Sequence, residues 1–408
     1  MSRSSEPDVA PDERPRPPLL LIFSITVTGI LGNTLVNAPL PDILREFGQP
    51  KEMAGALVWS ATLPGIAMAP IIGFLADRFG RRRVLIPCLT VFGVGGLLAV
   101  AAPSFAVLMA CRLLQGLGSA GLINLAVVLI ADSWTGTERA RLIGLNAAVL
   151  TVSVAVFPAV GGALAQLGGW RWSFVPYGAA LVTAVAVGRW LPMYVVPAGS
   201  SLIGQLRDAR TALRQPVVYG SIAFGCVLFA LIFGLFLTVM PLLLDEAYHL
   251  EPGTRGLMLA VPAIPSTISA LSLSRLRARF GASRLVLLAN LLFVAGFLTI
   301  GGAGRESLAL VIGGAVLYGF GEGMAIPTLQ DLVASRAPDS SRGAVIAVWV
   351  GVARAGQTIG PAAFSVTMAA VGPSSAFIVG GSIAGLLLVA QVAGRRVLTF
   401  SPAASVNA

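Results

Sequence analysis

Charge is scarce in this sequence: Asp, Glu, Lys and Arg make up 11% of its 408 residues, against about 25% in an ordinary soluble domain. So little charge excludes a fully hydrated surface. With 56% hydrophobic residues, the simplest solvent is the lipid bilayer. Lysine is almost missing. Lys51 is the single one, and arginine supplies the rest of a net charge of +10. In a soluble protein that excess would point to nucleic acid. In a bilayer protein it belongs to the loops on one side, so no nucleic-acid partner is expected. Histidine is reduced to His249 and cysteine to Cys88, Cys111 and Cys226, each cysteine inside an apolar run. That set lacks metal-ligand spacing and argues against a disulfide framework, so no metal and no cofactor are expected. A His–Cys cluster, a nucleophile motif and a nucleotide loop are also missing, which argues against an enzyme.

What is present is long and apolar. Residues 1–17 are polar and proline-rich and read as a disordered tail. They lack the basic lead, short apolar core and small-residue site of a cleaved signal peptide. Beyond them lie twelve apolar runs, near 19–41, 54–76, 84–102, 105–131, 141–165, 172–192, 217–243, 256–274, 285–303, 307–333, 343–370 and 374–394. About 20 apolar residues span a bilayer, and lipid cannot satisfy an open strand edge. The expected class is therefore an all-α membrane protein. Arginine clusters at 78–83, 139–141, 207–214, 275–284, 336–342 and 395–396 fall on one side if both termini lie in the cytoplasm, as the positive-inside rule requires.

The chain also repeats itself. RFG at 78–80 returns at 279–281, Gly116 and Gly118 match Gly319 and Gly321, Arg139 matches Arg342, and Pro158 matches Pro361, at offsets of 201 and 203. Two six-helix bundles are expected, at 18–195 and 216–395, joined by a linker at 196–215 and followed by a tail at 396–408. Internal duplication of this kind marks secondary transporters, which rock their halves about a central site.

Several stretches break the apolar pattern. GFLADRFGRRR, Gly73 to Arg83, sets Asp77, Arg78, Arg81, Arg82 and Arg83 among Gly73 and Gly80 between the second and third runs. It resembles the G-x-L-x-D-R-x-G-R-R loop of the major facilitator superfamily. The resemblance implies a gate latch in which Asp77 faces the positive start of the eleventh helix and Arg81 pairs with Asp132. Gly80 would allow a tight turn and Gly73 a close helix approach. The second copy, SRLRARFGASR at 274–284, has Ala278 in place of the Asp, so the latch should be asymmetric.

RLLQGLGSAG, Arg112 to Gly121, resembles the family's fourth-helix motif, which is implicated in proton transfer. Arg112 would tune a nearby acid or hydrogen-bond across the core; a structural Arg on backbone carbonyls is the alternative. SVAVFPAVGG, Ser153 to Gly162, resembles the family's antiporter signature through Pro158, Gly161 and Gly162, while Ser153 and Phe157 depart from it. GQTIGP, with Gly360 and Pro361, echoes it in the eleventh run.

In the first run, Asn33 and Asn37 lie one helical turn apart and either face a cavity or bond neighbouring helices. Glu322 and Arg354 sit at similar depth in the tenth and eleventh runs. They are expected to face each other, either as a proton switch or as a permanent ion pair, with Asp42 and Asp331 as lesser proton sites. Phe229, Phe233 and Phe236 recur at helical spacing and serve either packing or cargo binding.

The resemblance spans the whole chain and implies a twelve-helix drug:proton antiporter of the major facilitator fold. Such a protein exports a small amphipathic or hydrophobic molecule by alternating access, in a bacterial inner membrane. Its partners would be that cargo, protons and the lipid bilayer, and it is expected to be monomeric. Cargo-lining candidates are Asn33, Asn37, Arg112, Phe229, Phe233, Phe236 and Glu322. Export of one endogenous metabolite such as a sugar, siderophore or amino acid is the alternative, and proton-coupled uptake another.

Overall fold

The computed structural model describes residues 16–193, 214–336 and 342–393. Most of the expected N-terminal tail and of the linker, and all of the C-terminal tail, lie outside the described residues.

Helical segments fall on each of the twelve apolar runs. We label them α1 (Leu19–Thr34), α2 (Met53–Phe79), α3 (Arg81–Val100), α4 (Phe105–Ser133), α5 (Gly136–Gly168), α6 (Ala179–Trp190), α7 (Val217–Tyr248), α8 (Pro252–Phe280), α9 (Ala282–Ala303), α10 (Leu308–Ser335), α11 (Arg342–Val371) and α12 (Pro373–Ala393). Among the described residues nine of these are long and apolar enough to cross a membrane. The others are α1, which is shorter, α6, preceded by a 3₁₀ stretch at Trp170–Gly178, and α11.

The internal repeat is visible in local structure. Gly80 (φ 90°) ends α2 and Gly281 (φ 77°) ends α8, a backbone region that side chains with a Cβ avoid. Ser104 and Ser307 each cap a helix start, accepting from Val107 N and Leu310 N at 3.4 Å, and so satisfy one orphan amide of α4 and of α10.

Proline explains where rods break. The first apolar run is not one helix: α1 stops at Thr34, and a short helix, Leu40–Glu46, follows Pro39 and contains Pro41. Without their N–H groups these prolines cannot continue the α1 ladder. In α7 a π-helical stretch covers Ile232–Val239, just before Pro241. There Thr238 Oγ1 donates to Phe233 O at 2.7 Å, five residues back.

The first six helices pack on one another and so do the last six. Between the two sets, α2 crosses α11 and α5 crosses α8. These crossings depend on glycine. A Cβ on Gly55 would collide with the Pro361 carbonyl, one on Gly162 with the Pro252 carbonyl, and one on Gly256 with the Pro158 carbonyl. In lipid, where apolar surface alone gives no drive to associate, small residues of this kind let backbones approach. All of these contacts lie at the end of the bundle away from the arginine-rich loop 78–83, here called the far end. Toward the basic end, a Cβ on Gly73, Gly144 or Gly351 would meet nothing within 4 Å.

Candidate functional site

At the basic end the Arg81 guanidinium is buried. Its Nε donates to Asp132 Oδ2 at 3.2 Å and its Nη1 to Asp77 one turn back. Arg82 donates to the Leu191 carbonyl at 3.3 Å and to the Gly188 carbonyl, closing the end of α6. The Arg81–Asp132 pairing expected from the sequence is present. Asp77 accepts from Arg81, and the turn that leads into α11 lies outside the described residues. One other expectation is corrected: Gly73 faces open space, because the close approaches of α2 occur further up, at Gly55 and Gly65. Arg78 is exposed beside Phe79. In the second copy Arg277 pairs with Asp331 at 2.7 Å, so the latch has a different form there and Asp331 is engaged.

In the middle of the first half Arg112 is 2% exposed. It donates to Leu57 O at 3.3 Å, to Gln115 Oε1 at 3.0 Å and to Gly32 O at 2.9 Å, tying α1, α2 and α4 together. Tyr177, which donates to Leu31 O at 3.1 Å, stands beside it. The arrangement is that of a structural arginine on backbone carbonyls. Asn37 is buried and partnered; the side chain of Asn33 lies outside the described residues.

In the second half Tyr318 stacks on Phe236 with ring centroids 4.6 Å apart and planes 15° from parallel. Glu322 lies one turn further along α10 and is half-buried. This face of α10 therefore looks toward α7 and not into lipid. Phe233 is buried in the π-helical stretch, and Phe229 meets Trp349 edge-on at 6.4 Å. The stripe is thus built into aromatic packing.

Arg354 does not pair with Glu322, which corrects the sequence expectation. Equal depth on two helices does not fix the direction in which a side chain points, and a single residue turns it by about 100°. Arg354 is buried against Gly65 of α2 instead. The antiporter-like glycines pack at crossings: Gly161 on the Leu35 carbonyl, Gly162 beside Ala38 and Pro252, and Gly360 on the Ala230 carbonyl. Pro158 and Pro361 present their carbonyls to Gly256 and Gly55.

The far end holds an ionic network that sequence reading missed. Arg45 donates to Asp245 at 2.7 Å and to Asp42 at 3.1 Å. Arg255, 1% exposed, bridges Asp42 and, at 3.6 Å, Asp245. Lys51 pairs with Glu246, which also takes Arg305 at 2.6 Å. Asp245, followed by Asp42, raises the Arg45 pKa through hydrogen bonds and charge. Arg171, then Trp170, lowers that of Glu46. A cavity of about 400 Å³ opens among Asp42, Arg45, Glu46, Gln166, Trp170 and Glu251. A signal for the network was present: Arg45 and Asp245 lie 200 residues apart and Lys51 and Glu246 lie 195 apart, close to the repeat offset.

Two bundles of apolar helices, crossing through glycines and tied by ion pairs at one end, define a multi-pass membrane transport protein. The profile of the Major Facilitator Superfamily matches residues 22–254 and again 222–403, and the chain belongs to that family. It is 26% identical over 372 residues to the bacillibactin exporter of Bacillus subtilis (strain 168), covering 86% of this chain and 89% of that one. It is 27% identical to the efflux pump FUS6 of Gibberella fujikuroi (strain CBS 195.34 / IMI 58289 / NRRL A-6831), over 49% of this chain but only 36% of the pump. Among solved structures, a bacterial homologue of the human lysosomal transporter Spinster, inward-facing and unoccupied, superposes with a TM-score of 0.71 at 19% identity, covering 94% of this chain and 98% of that one. The nucleoside transporter NupG superposes with a TM-score of 0.74 at 11% identity, covering 91% of this chain and 99% of that one. These are likenesses of fold. The protein is a transporter and not an enzyme.

Proposed function

We propose that this transporter exports small amphipathic or hydrophobic molecules from the cytoplasm of a bacterium in exchange for protons, by alternating access. The observation that carries the reading is the placing of contacts between the halves. They gather at the far end, through the Arg45, Lys51 and Arg255 pairs and the glycine crossings at Gly55, Gly162 and Gly256. With the positive-inside rule the basic end is cytoplasmic, both termini lie on that side, and the state is ready to load from within. Bodies 18–195 and 216–395 would then rock about the polar middle. Glu322, half-buried and without an ion pair among the described residues, is the proton carrier. Asp42 and Asp331 are held in ion pairs and are secondary. The working unit is a monomer.

A second reading is export of a siderophore-like metabolite. It is supported by the likeness to the bacillibactin exporter along nearly its whole length. Purified protein in vesicles enclosing a pH dye tests both. Lipophilic dyes and catecholate compounds are offered in turn, and cargo-dependent proton movement is recorded. Export of either class with proton counterflow is expected, and Glu322→Gln should abolish the counterflow. Intact proton-driven transport by Glu322→Gln would remove Glu322 from the mechanism.

A further inference from the structure

Arginine is buried at Arg81, Arg112, Arg255 and Arg354 among the described residues. The first three are partnered. Arg81 has Asp132 and Asp77, Arg112 has two backbone carbonyls and Gln115, and Arg255 has Asp42 and Asp245. Arg354 differs. No hydrogen bond or ion pair from its guanidinium occurs among the described residues, and its Nε is buried without a partner. It is 8% exposed, near the middle of α11.

Its surroundings are shaped for it. Nη1 lies 2.8 Å from the point where a Cβ on Gly65 of α2 would stand, with Cδ and Cζ at 3.4 Å. An alanine at position 65 would press its Cβ on the end of the guanidinium, which would have to shift. One turn on, Thr358 Oγ1 meets Thr62 Oγ1 of α2 at 3.0 Å, and both side chains are buried. The charge therefore lies on a seam between one helix of each half, next to two hydroxyls that also reach the Arg354 and Trp59 carbonyls.

We propose that Arg354, cradled by Gly65 and flanked by Thr62 and Thr358, is the anchor for an anionic group on the cargo. The inference deepens the export reading and rests on it. A desolvated cation without a counter-ion draws an anion into the site. A guanidinium fork pairs with the two oxygens of a carboxylate, catecholate or phosphate ester. The cargo class is thus a small organic anion with an apolar body, and the fork gives its head a fixed direction between α2 and α11. Arg354 is a binding residue, and Gly65 positions it.

Thermal unfolding of the full chain in detergent tests this with benzoate and salicylate as probes, benzamide as the neutral counterpart, and sodium chloride and inorganic phosphate at equal ionic strength. Benzoate and salicylate should raise the melting temperature in proportion to log concentration, and benzamide should not. The shift should vanish in Arg354→Gln and weaken in Arg354→Lys, which keeps the charge but loses the fork. Gly65→Ala, which keeps the arginine and displaces the end of its guanidinium, should reduce it. An undiminished shift in Arg354→Gln, no shift with either organic anion, or an equal shift from chloride or phosphate alone would overturn the proposal. Binding requires no flux. If vesicles show no proton-coupled export while the benzoate shift still depends on Arg354, the export reading fails and the site stands.

Discussion

Arg112 and Arg354 are the same residue in the same kind of apolar helix, one in each half, yet they differ in company. Arg112 gives its protons to two backbone carbonyls and a glutamine. Arg354 gives its protons to nothing among the described residues and sits where the halves meet. An arginine in the middle of a bilayer costs about 2.5–3.5 kcal/mol on insertion scales. At Arg112 that cost is offset by bonds holding three helices in register. At Arg354 it is not, and the charge remains for something that comes and goes. Burial of a charge marks a working site where the partner has been withheld, not wherever the charge is buried.

The comparison can be broken most severely by removing both side chains. Arg112→Met should depress the apparent melting temperature in detergent strongly, since each buried polar group left unsatisfied costs about 1–3 kcal/mol. Arg354→Met should leave the melting temperature unchanged or raise it, because an uncompensated buried cation is lost. Equal losses in the two variants would erase the distinction.

A smaller effect is expected at the latch. Arg81→Ala strips Asp132 of a charged hydrogen bond, worth about 1.5–3 kcal/mol. The reversed pair, Arg81→Asp with Asp132→Arg, should recover part of the loss in a double-mutant cycle. If the cycle shows no coupling, the pair is incidental.

The smallest effect belongs to the exposed far end. Arg171 holds Glu46 below its ordinary pKa of 4.5. A carboxylate lowered in this way stabilises the fold above that ordinary value and loses its contribution as pH falls through the lowered one. The melting gap between the native chain and Glu46→Gln should therefore be constant near neutral pH and close on acidification below about 4.5. A gap that widens in acid would show that Arg171 is not the partner that matters.

These contrasts also separate what the sequence made legible from what it hid. Short-range chemistry was readable: the apolar runs, the Gly80 turn and its copy at Gly281, and the pairing of Arg81 with Asp132. Azimuth was not. Glu322 and Arg354 agree in depth, but Arg354 packs on Gly65 of α2 and no ion pair joins the two. The latch-like motif points to a close approach at Gly73, but the approach lies at Gly55 and Gly65. The π-helical stretch at Ile232–Val239 altered the face presented by Phe233 and Phe236, which an assumed 3.6-residue period does not foresee. The far-end network was hidden because the pairs that join the halves, such as Arg45 with Asp245 and Arg255 with Asp42, lie about 200 residues apart.

The central claim is that two halves rock about a polar middle, closed at the far end and open at the basic end. Spin-label pairs at Gln49 and His249, and at Arg83 and Arg275, test it in a background lacking the native cysteines, with and without Arg255→Ala. Pulsed distance measurements should give a short far-end and a long basic-end separation in the parent. In Arg255→Ala the first should lengthen as the second shortens. A far-end distance that lengthens while the basic end stays put would contradict a rocking motion.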